Sequence, residues 1–155
     1  MLQPGTEAPD FVLTDDEGNE QSLAGLLEDG PLILYFYPAD FTPGCTKEAC
    51  SIRDIHNDIQ SVGLRVAGIS PQSVESHQKF RDEYGLPFIL LSDPDKVAVN
   101  AYDVDGMFGI GVRRATFLIG SDRTIEDAVI ADLRIDRHKA FIENAIALYE
   151  AEDAD

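Results

Sequence analysis

The strongest constraint on the fold is a regular alternation of short apolar runs with segments of helical periodicity. Residues 31–37 (Pro-Leu-Ile-Leu-Tyr-Phe-Tyr), 64–69 and 88–91 are mainly apolar, as strands buried on both faces are. Between these runs, apolar side chains recur every three to four residues, which is typical of helices that pack on a sheet. Strands that alternate with helices in this way predict parallel pairing through helical crossovers.

Cap and turn residues define the remaining predicted elements. A helix is predicted to begin at Thr42, with Pro43 in its first position, and to end at Gly63, and a second helix ends at Gly85. The other predicted elements are a strand at Phe11–Leu13, a turn at Asp15–Asn19, a short helix from Asp93 to near Tyr102, a hairpin of Ala115–Ile119 with Ile125–Ile130, and a final helix that carries Phe141 to Tyr149.

Together these elements predict an α/β fold with a mixed central sheet flanked by helices. The sheet is expected to be parallel where helices cross over and antiparallel at the terminal hairpin. A chain of 155 residues is typical of one domain, so residues 1–155 are expected to form a single domain with an acidic tail at about 150–155.

The charge of the chain limits its partners and its location. With 29 acidic and 12 basic residues, the net charge is −17, which excludes nucleic-acid binding and docking to an anionic membrane surface. The carboxylates are scattered and only four basic residues are lysines, a pattern that suits a salty cytoplasm because salt screens self-repulsion. The first ten residues lack the regions of a secretory signal, so a cytoplasmic location is expected.

Two familiar ligand-binding patterns are only partly present. If Gly18 were position 6 of a calcium-binding EF-hand loop, Leu13 would occupy position 1, where a carboxylate is required. Gly106, Gly109 and Gly111 resemble a dinucleotide fingerprint, but the element that follows is a predicted strand rather than a helix. A connecting loop is therefore the better interpretation of the three glycines.

The three histidines do not form a metal-binding pattern. His56 and His138 are expected at the surface, and His77 falls on an apolar helix stripe, where a hydrogen-bonded core residue is expected. Two cysteines and three widely spaced histidines do not predict a zinc site.

The two cysteines lie at a position suited to thiol chemistry. Cys45 is in the first turn of a helix that follows a buried strand, where free backbone N–H groups and the helix dipole favour a thiolate. In an intact helix, Cys50 would be about 140° around and its Cα about 8.6 Å away, beyond the roughly 7 Å limit for a disulfide. A disulfide would therefore require the first one or two turns to unwind; alternatively, Cys50 is an inert core residue.

The residues around Cys45 resemble a known family. Pro38-x-x-x-Thr42-x-x-Cys45 is similar to the peroxiredoxin active-site motif, and the fuller run from Tyr37 to Cys50 resembles the bacterioferritin-comigratory-protein (Q-type) branch. Further matches along the chain are Gly5-x-x-Ala8-Pro9-Asp10-Phe11, Gly68-Ile69-Ser70, Leu91-Ser92-Asp93 and Arg114-x-Thr116-Phe117-Leu118-Ile119. The sequence departs from the usual pattern at Ala39, Phe41, Gly120 and Arg123, the last at a turn position where glycine is usual.

The resemblance implies a thioredoxin-like fold and a thiol-dependent peroxidase that acts in antioxidant defence. Cys45 would attack hydrogen peroxide or a small organic hydroperoxide and become a sulfenic acid. Cys50 would condense with it to an intramolecular disulfide, which a thioredoxin-like partner would reduce. The resemblance implies no metal or cofactor. The branch is often monomeric, so a monomer is expected.

The resemblance also implies roles for four further residues. Thr42 would hydrogen-bond the peroxide oxygen and the sulfur, and Arg114 would stabilise the thiolate and the charge that develops in the transition state. Pro38 would shield the pocket from water, and Glu48 would orient Arg114. Two other functions stay open from the residues alone: a general thiol–disulfide oxidoreductase, which would have no use for Thr42 and Arg114, and a non-catalytic acidic binding module on the same scaffold.

Overall fold

The computed structural model describes residues 1–153, which form a seven-stranded mixed sheet with helices on both faces. The strands are β1 Val12–Asp15, β2 Glu20–Ser22, β3 Leu32–Phe36, β4 Arg65–Ser70, β5 Ile89–Ser92, β6 Ala115–Ile119 and β7 Ile125–Ile130. The helices are α1 Leu23–Leu26, α2 Pro43–Asp54, α3 His56–Ser61, α4 Val74–Tyr84, α5 Val97–Ala101 and α6 Ile135–Asp153, and 3₁₀ turns occur at Leu27–Asp29 and Met107–Gly109.

The strand order is β2-β1-β5-β4-β3-β6-β7, and the pairing is parallel only between β3, β4 and β5. The three parallel strands are the ones joined by helical crossovers, and β6 and β7 form the predicted antiparallel hairpin. The predicted α/β fold with a mixed sheet is confirmed.

Strand β3 lies in the middle of the sheet and is buried on both faces. Ile33 and Tyr35 pack in the apolar layer shared with α2, α3, α4 and α6, whereas Leu34 and Phe36 pack in the opposite layer, which includes α1 and α5. This burial explains why the run is apolar at every position. The chain leaves β3 and reaches α2 within a few residues, so the start of α2 lies at the carboxyl ends of the parallel strands.

Local sequence signals correctly place several element ends. α4 stops at Gly85, which adopts the left-handed conformation (φ 60°) that terminates helices, and Ser73 caps its first turn. Arg123 also has a positive φ (70°), consistent with a turn position where glycine is usual. The loop that contains Gly106, Gly109 and Gly111 connects α5 to β6 without opening a helix, as predicted.

The single helix predicted up to Gly63 is wrong, because the chain leaves helical dihedral angles at Ile55 (φ −110°, ψ 12°). The N–H of Ile55 bonds to the carbonyl of Ile52, three residues back, which tightens and ends α2. The change of direction turns His56 into the core, where it is 8% exposed. The predicted surface position of His56 is therefore also wrong.

The patterns that predict the other elements do not reveal β2 and α1, because Glu20–Ser22 is short and polar. The predicted turn before β2 is present: one carboxylate oxygen of Asp15 accepts hydrogen bonds from the N–H groups of Glu17 and Asn19, both at 2.9 Å. The predicted acidic tail begins within α6, which continues through residue 153, and its residues 154–155 lie outside the described residues.

Candidate active site

Cys45 lies in the first turn of α2, beyond the end of β3. Thr42 precedes the helix in extended conformation, and Pro43 occupies the first helical position, where a missing N–H costs no hydrogen bond. The Cys45 side chain is 1% exposed. Its sulfur is therefore largely removed from water and close to the unpaired N–H groups of the helix start, an environment that favours negative charge.

Arg114 joins the sulfur to a buried carboxylate. Its Nη2 donates to Sγ of Cys45 at 3.2 Å, and its Nη1 donates to Oε1 of Glu48 at 2.7 Å. Asp132 holds the other end of the arginine: its Oδ1 accepts from the Arg114 backbone N–H at 3.0 Å, and its carbonyl accepts from Nε at 3.4 Å. The guanidinium thus approaches the sulfur in a fixed orientation.

Gly44 permits this close approach. A Cβ at position 44 would lie 3.2 Å from Nη2 of Arg114 and press on the guanidinium. The sequence resemblance assigns no role to Gly44, although this residue lies within the run from Tyr37 to Cys50. A glycine inside the first turn of a helix is the only signal, and it is weak because the helix start tolerates glycine.

Glu48 is completely buried on the inner face of α2. Burial raises its pKa to about 7, although the neighbouring Arg114 lowers the value in part. Only Oε1 is hydrogen-bonded; Oε2 has no partner among the described residues. The carboxyl group therefore has one satisfied oxygen, which faces Arg114, and one unsatisfied oxygen.

The unsatisfied oxygen of Glu48 faces His138, whose Nδ1 is 3.6 Å from Oε2. His138 was expected at the surface, but this prediction is wrong: the first turn of α6 packs against β6, and the ring is fully buried. Its Nδ1 is 2.8 Å from the Thr116 hydroxyl, and its Nε2 is 2.8 Å from the carbonyl oxygen of Ala131. Burial lowers the pKa of His138.

The other predicted site residues lie closer to solvent. Thr42 and Pro38 are exposed, and the Thr42 hydroxyl donates to the carbonyl of Ala39 at 3.0 Å. Because that bond uses the hydroxyl proton, the Thr42 oxygen is left to accept a hydrogen bond from a ligand. Cys50 is partly buried, in the same continuous helix as Cys45, and both cysteines are free thiols.

A second buried polar cluster lies beneath the loop between β3 and α2. Asp40 accepts hydrogen bonds from the Tyr37 hydroxyl at 2.6 Å and the Ser76 hydroxyl at 2.7 Å, and its Oδ2 is 2.7 Å from Nδ1 of His77. His77 is fully buried and its Nε2 lies 3.0 Å from the Leu91 carbonyl, which confirms the prediction of a hydrogen-bonded core residue. The cluster fixes the loop that carries Pro38 and Thr42.

Neither a metal-binding cluster nor a membrane-spanning helix is present among residues 1–153. Within residues 1–153, no group of three or more His, Cys, Asp or Glu side chains is placed to hold a metal ion. In the same range, no helix combines the length and the apolar character needed to cross a membrane.

Comparison with known proteins identifies the family. The model of the AhpC/TSA family matches residues 4–128. A Coxiella burnetii protein named as a bcp peroxiredoxin is 44% identical over 145 residues, which cover 90% of this chain and 95% of the relative. The crystal structure of peroxidoxin BcpB from Mycobacterium tuberculosis has a TM-score of 0.88 at 36% identity and covers 97% of this chain and 98% of its own.

A third similar protein is the bacterioferritin comigratory protein of Xanthomonas campestris, whose trapped intermediate and ligand complex structures concern its alkyl peroxide reduction activity. It has a TM-score of 0.81 at 27% identity and covers 98% of this chain and 97% of its own. The relatives share the thioredoxin-like fold implied by the motif around Cys45. The chain therefore belongs to the AhpC/TSA family, in the bacterioferritin-comigratory-protein (Q-type) branch of the peroxiredoxins, which are thiol-dependent peroxidases.

Proposed function

We propose that the protein reduces hydrogen peroxide and small organic hydroperoxides through Cys45, with Cys50 as the resolving thiol and a thioredoxin-like dithiol as the reductant. The observation that carries this function is the 3.2 Å hydrogen bond from Nη2 of Arg114 to Sγ of Cys45 at the start of α2. A guanidinium in that position stabilises a thiolate and the negative charge that develops as the peroxide bond breaks.

In the first step, the thiolate of Cys45 attacks one peroxide oxygen. The S–O bond forms, the O–O bond breaks, and the departing oxygen leaves as water or an alcohol after it takes up a proton. Thr42 would accept a hydrogen bond from the peroxide through its hydroxyl oxygen, since its proton is engaged with Ala39. Arg114 would stabilise the departing charge, and Pro38 would limit the access of water to the sulfur.

In the second step, the Cys50 thiol condenses with the sulfenic acid of Cys45 and releases water. The two residues lie five positions apart in one helix, with about 7.5 Å of axial rise between them, so the disulfide requires local unwinding of α2. Oxidation favours this change because a neutral sulfenic acid holds Arg114 less strongly than a thiolate does. The exposed start of α2, at Thr42 and Pro43, would unwind first.

The charge of the protein limits the substrates. Neutral hydrogen peroxide and small alkyl hydroperoxides do not respond to a net charge of −17, whereas anionic fatty-acid hydroperoxides would be repelled. Repulsion weakens at high salt, so the preference for neutral over anionic peroxides would decrease as salt rises. We propose that the reaction takes place in the cytoplasm and serves antioxidant defence. We also propose that the protein acts as a monomer.

The decisive test is NADPH-coupled consumption of hydrogen peroxide in the presence of thioredoxin and its reductase. The wild type should turn over and Cys45→Ser should not. A general thiol–disulfide oxidoreductase would reduce disulfides without consuming peroxide, and a binding module would form no sulfenic acid that dimedone can trap.

Mass spectrometry after one equivalent of peroxide tests the role of Cys50. The wild type should lose two hydrogens within one chain. Cys50→Ser should stop at the sulfenic acid or pair between chains. A Cys50→Ser variant that turns over with thioredoxin at the wild-type rate would remove Cys50 from the mechanism.

A further inference from the structure

The region behind Arg114 contains two titratable groups, Glu48 and His138. Their hydrogen-bond geometry shows which of their atoms carry protons. Nε2 of His138 faces the carbonyl oxygen of Ala131, which can only accept, so Nε2 carries a proton. In the neutral ring, Nδ1 is then an acceptor, and the Thr116 hydroxyl donates to it. The second acceptor in this space is Oε2 of Glu48, 3.6 Å from Nδ1.

Without another proton, Oε2 of Glu48 faces Nδ1, an acceptor whose lone pair is already used by the Thr116 hydroxyl, so Oε2 finds no donor there. Within the described residues, Oε2 has no hydrogen-bond partner, and an unsatisfied buried carboxylate oxygen is costly. One additional proton removes the conflict. With the 3.6 Å gap shortened to a hydrogen bond, it lets Oε2 donate to Nδ1 in place of the Thr116 hydroxyl, or Nδ1 donate to Oε2, and the carboxyl–imidazole pair is then neutral overall.

We propose that Glu48 and His138 hold one exchangeable proton between Oε2 and Nδ1, and that this proton sets how much of the charge of Arg114 acts on Cys45. The inference rests on the proposed peroxidase function and adds His138 as a positioning residue that acts through Glu48 and Arg114. With the proton present, the guanidinium charge acts on the sulfur. When the proton leaves to solvent, the Glu48 carboxylate compensates that charge through its 2.7 Å ion pair with Nη1 of Arg114.

The groups around Glu48 show which of them exchanges a proton near neutral pH. Cys45 lies on the same helix, Arg114 precedes β6, His138 comes from α6 and Tyr35 from β3, with Asp132 close to His138. Burial, and then Glu48, hold the pKa of Tyr35 well above its usual value, so its phenol stays neutral. Burial raises the pKa of Glu48 to about 7, which places the exchange of its proton in the physiological range.

The expected signature is a fall in reactivity as the pair loses its proton. The rate of Cys45 oxidation, divided by the fraction of Cys45 present as thiolate, should fall about threefold or more as the pH rises through about 7. The measurement uses the Cys50→Ser background to isolate the first step, with hydrogen peroxide as oxidant. Thiolate absorbance gives the ionised fraction, and dimedone trapping gives the rate.

Infrared spectroscopy gives a readout that does not depend on activity. The band of a protonated buried carboxyl group should disappear as the pH rises through the same range, and Glu48→Gln should lack the band at every pH. The same variant should have a flat profile of rate per thiolate, because the neutral amide cannot compensate Arg114.

Two substitutions at position 138 distinguish the effect of the acceptor at Nδ1 on the Glu48 proton from the effect of the bond that holds the ring to Ala131. His138→Asn keeps an acceptor near the position of Nδ1 but loses the bond to Ala131, whereas His138→Gln keeps a donor to Ala131 and loses the acceptor. We expect the infrared and kinetic transitions to remain near wild type in the asparagine variant. In the glutamine variant they should move to lower pH by about one unit, a tenfold change in the proton affinity of Glu48.

The proposal is overturned if both variants keep the wild-type transition, because Glu48 would then titrate without His138. It is also overturned if the wild type has no carboxyl band that titrates in this range. Failure of the peroxidase function is a separate result: the wild type would form no sulfenic acid, while the carboxyl band would still titrate and still shift in His138→Gln.

Discussion

Two histidine–carboxylate pairs are buried on the same side of the sheet, and they differ in how completely their hydrogen bonds are satisfied. In the first pair, Asp40 and His77 are 2.7 Å apart, and both nitrogens of the ring have close acceptors. In the second, Glu48 and His138 are 3.6 Å apart, and Oε2 of Glu48 has no hydrogen-bond partner within residues 1–153. Both carboxylates are shielded from solvent.

The difference separates a structural anchor from a group placed to exchange a proton. Asp40 accepts from Tyr37 and Ser76 as well as contacting His77, so both of its oxygens already have hydrogen-bond partners. Phe41, the next residue, has a positive φ of 64° and packs edge-on against Phe80 at 5.1 Å, a strained conformation that requires such an anchor. At Glu48, a proton would create a bond instead.

The largest effect is expected when the satisfied pair is broken. Asp40→Ala removes the acceptor of the buried Tyr37 hydroxyl and the partly buried Ser76 hydroxyl, and the partner of the buried His77. Breaking a buried pair of this kind costs about 3–5 kcal/mol. We expect that loss in the free energy of unfolding, measured by urea denaturation with circular dichroism.

The matched control for Asp40→Ala is Asp54→Ala, which removes the exposed ion pair with Arg53 at 3.1 Å. An exposed pair contributes about 0–1 kcal/mol, so the control should be nearly as stable as the wild type. If Asp40→Ala were as stable as Asp54→Ala, the first pair would not be an anchor.

The next largest effect is expected on the rate of Cys45 oxidation. It concerns Arg114, the hydrogen-bond partner of Oε1 of Glu48. Arg114→Gln should slow Cys45 oxidation by about 10²–10³-fold, since in the proposed mechanism Arg114 stabilises the departing oxygen. A free thiol is about 3% ionised at neutral pH, so loss of thiolate alone accounts for at most about 30-fold. Stopped-flow rates together with the measured thiolate fraction decide between the two contributions. A loss fully accounted for by the thiolate fraction would restrict Arg114 to setting the ionisation of Cys45.

Glu48→Gln should have a pH-dependent effect on stability. The pKa of Glu48 is raised from 4.5 to about 7 by burial, so the folded protein binds this proton more tightly than the unfolded chain. The stabilisation is complete below about pH 4.5 and is lost as the pH rises through about 7. Since one pH unit corresponds to about 1.4 kcal/mol, the wild type should lose about 3 kcal/mol relative to Glu48→Gln between those limits.

The measurement is urea unfolding of both proteins at matched pH values from about 4.5 to 8, since the difference between them removes the contribution of the other titrating groups. A constant difference across this range would show that Glu48 does not titrate in the folded protein. A difference of the opposite sign would make Glu48 a carboxylate stabilised by Arg114, as in an ordinary buried ion pair.

The sequence predicts the helices and strands that carry the two pairs better than it predicts the pairs themselves. Apolar runs and cap residues leave local signals, so β3, the end of α4 at Gly85 and the β6–β7 hairpin follow from short segments of sequence. The partner of Asp40 is 37 residues away and that of Glu48 is 90 residues away, and such pairs leave no local pattern. For the same reason His138, a polar residue in a charged stretch, was expected at the surface.

The motif around Cys45 allowed more of the site to be predicted than periodicity did. It gave the positions of Thr42 and Cys45 by their spacing, the separate match at Arg114-x-Thr116 gave Arg114, and the structure brings Arg114 to Cys45 and Glu48. Neither match assigned a role to Gly44, which lies within the run from Tyr37 to Cys50 but whose role depends on the space that a guanidinium from another element occupies. A contact of this kind becomes visible only when the chain is folded.

The smallest effects should come from the two hydroxyl groups that support the pairs. Ser76→Ala removes a 2.7 Å bond to the Asp40 carboxyl group, and Thr116→Val removes a 2.8 Å bond to the ring of His138. Ser76→Ala should cost about 1.5 kcal/mol or more in the free energy of unfolding, because no other group replaces the lost donor to a charged acceptor.

Thr116→Val should cost less, because Nδ1 of His138 then becomes fully available to a protonated Glu48. The same variant should move the carboxyl transition of Glu48 to higher pH, which infrared titration would measure. If the transition instead stayed in place while stability fell as far as in Ser76→Ala, Thr116 and His138 would form a satisfied structural unit, and the two pairs would not differ in the way their geometry indicates.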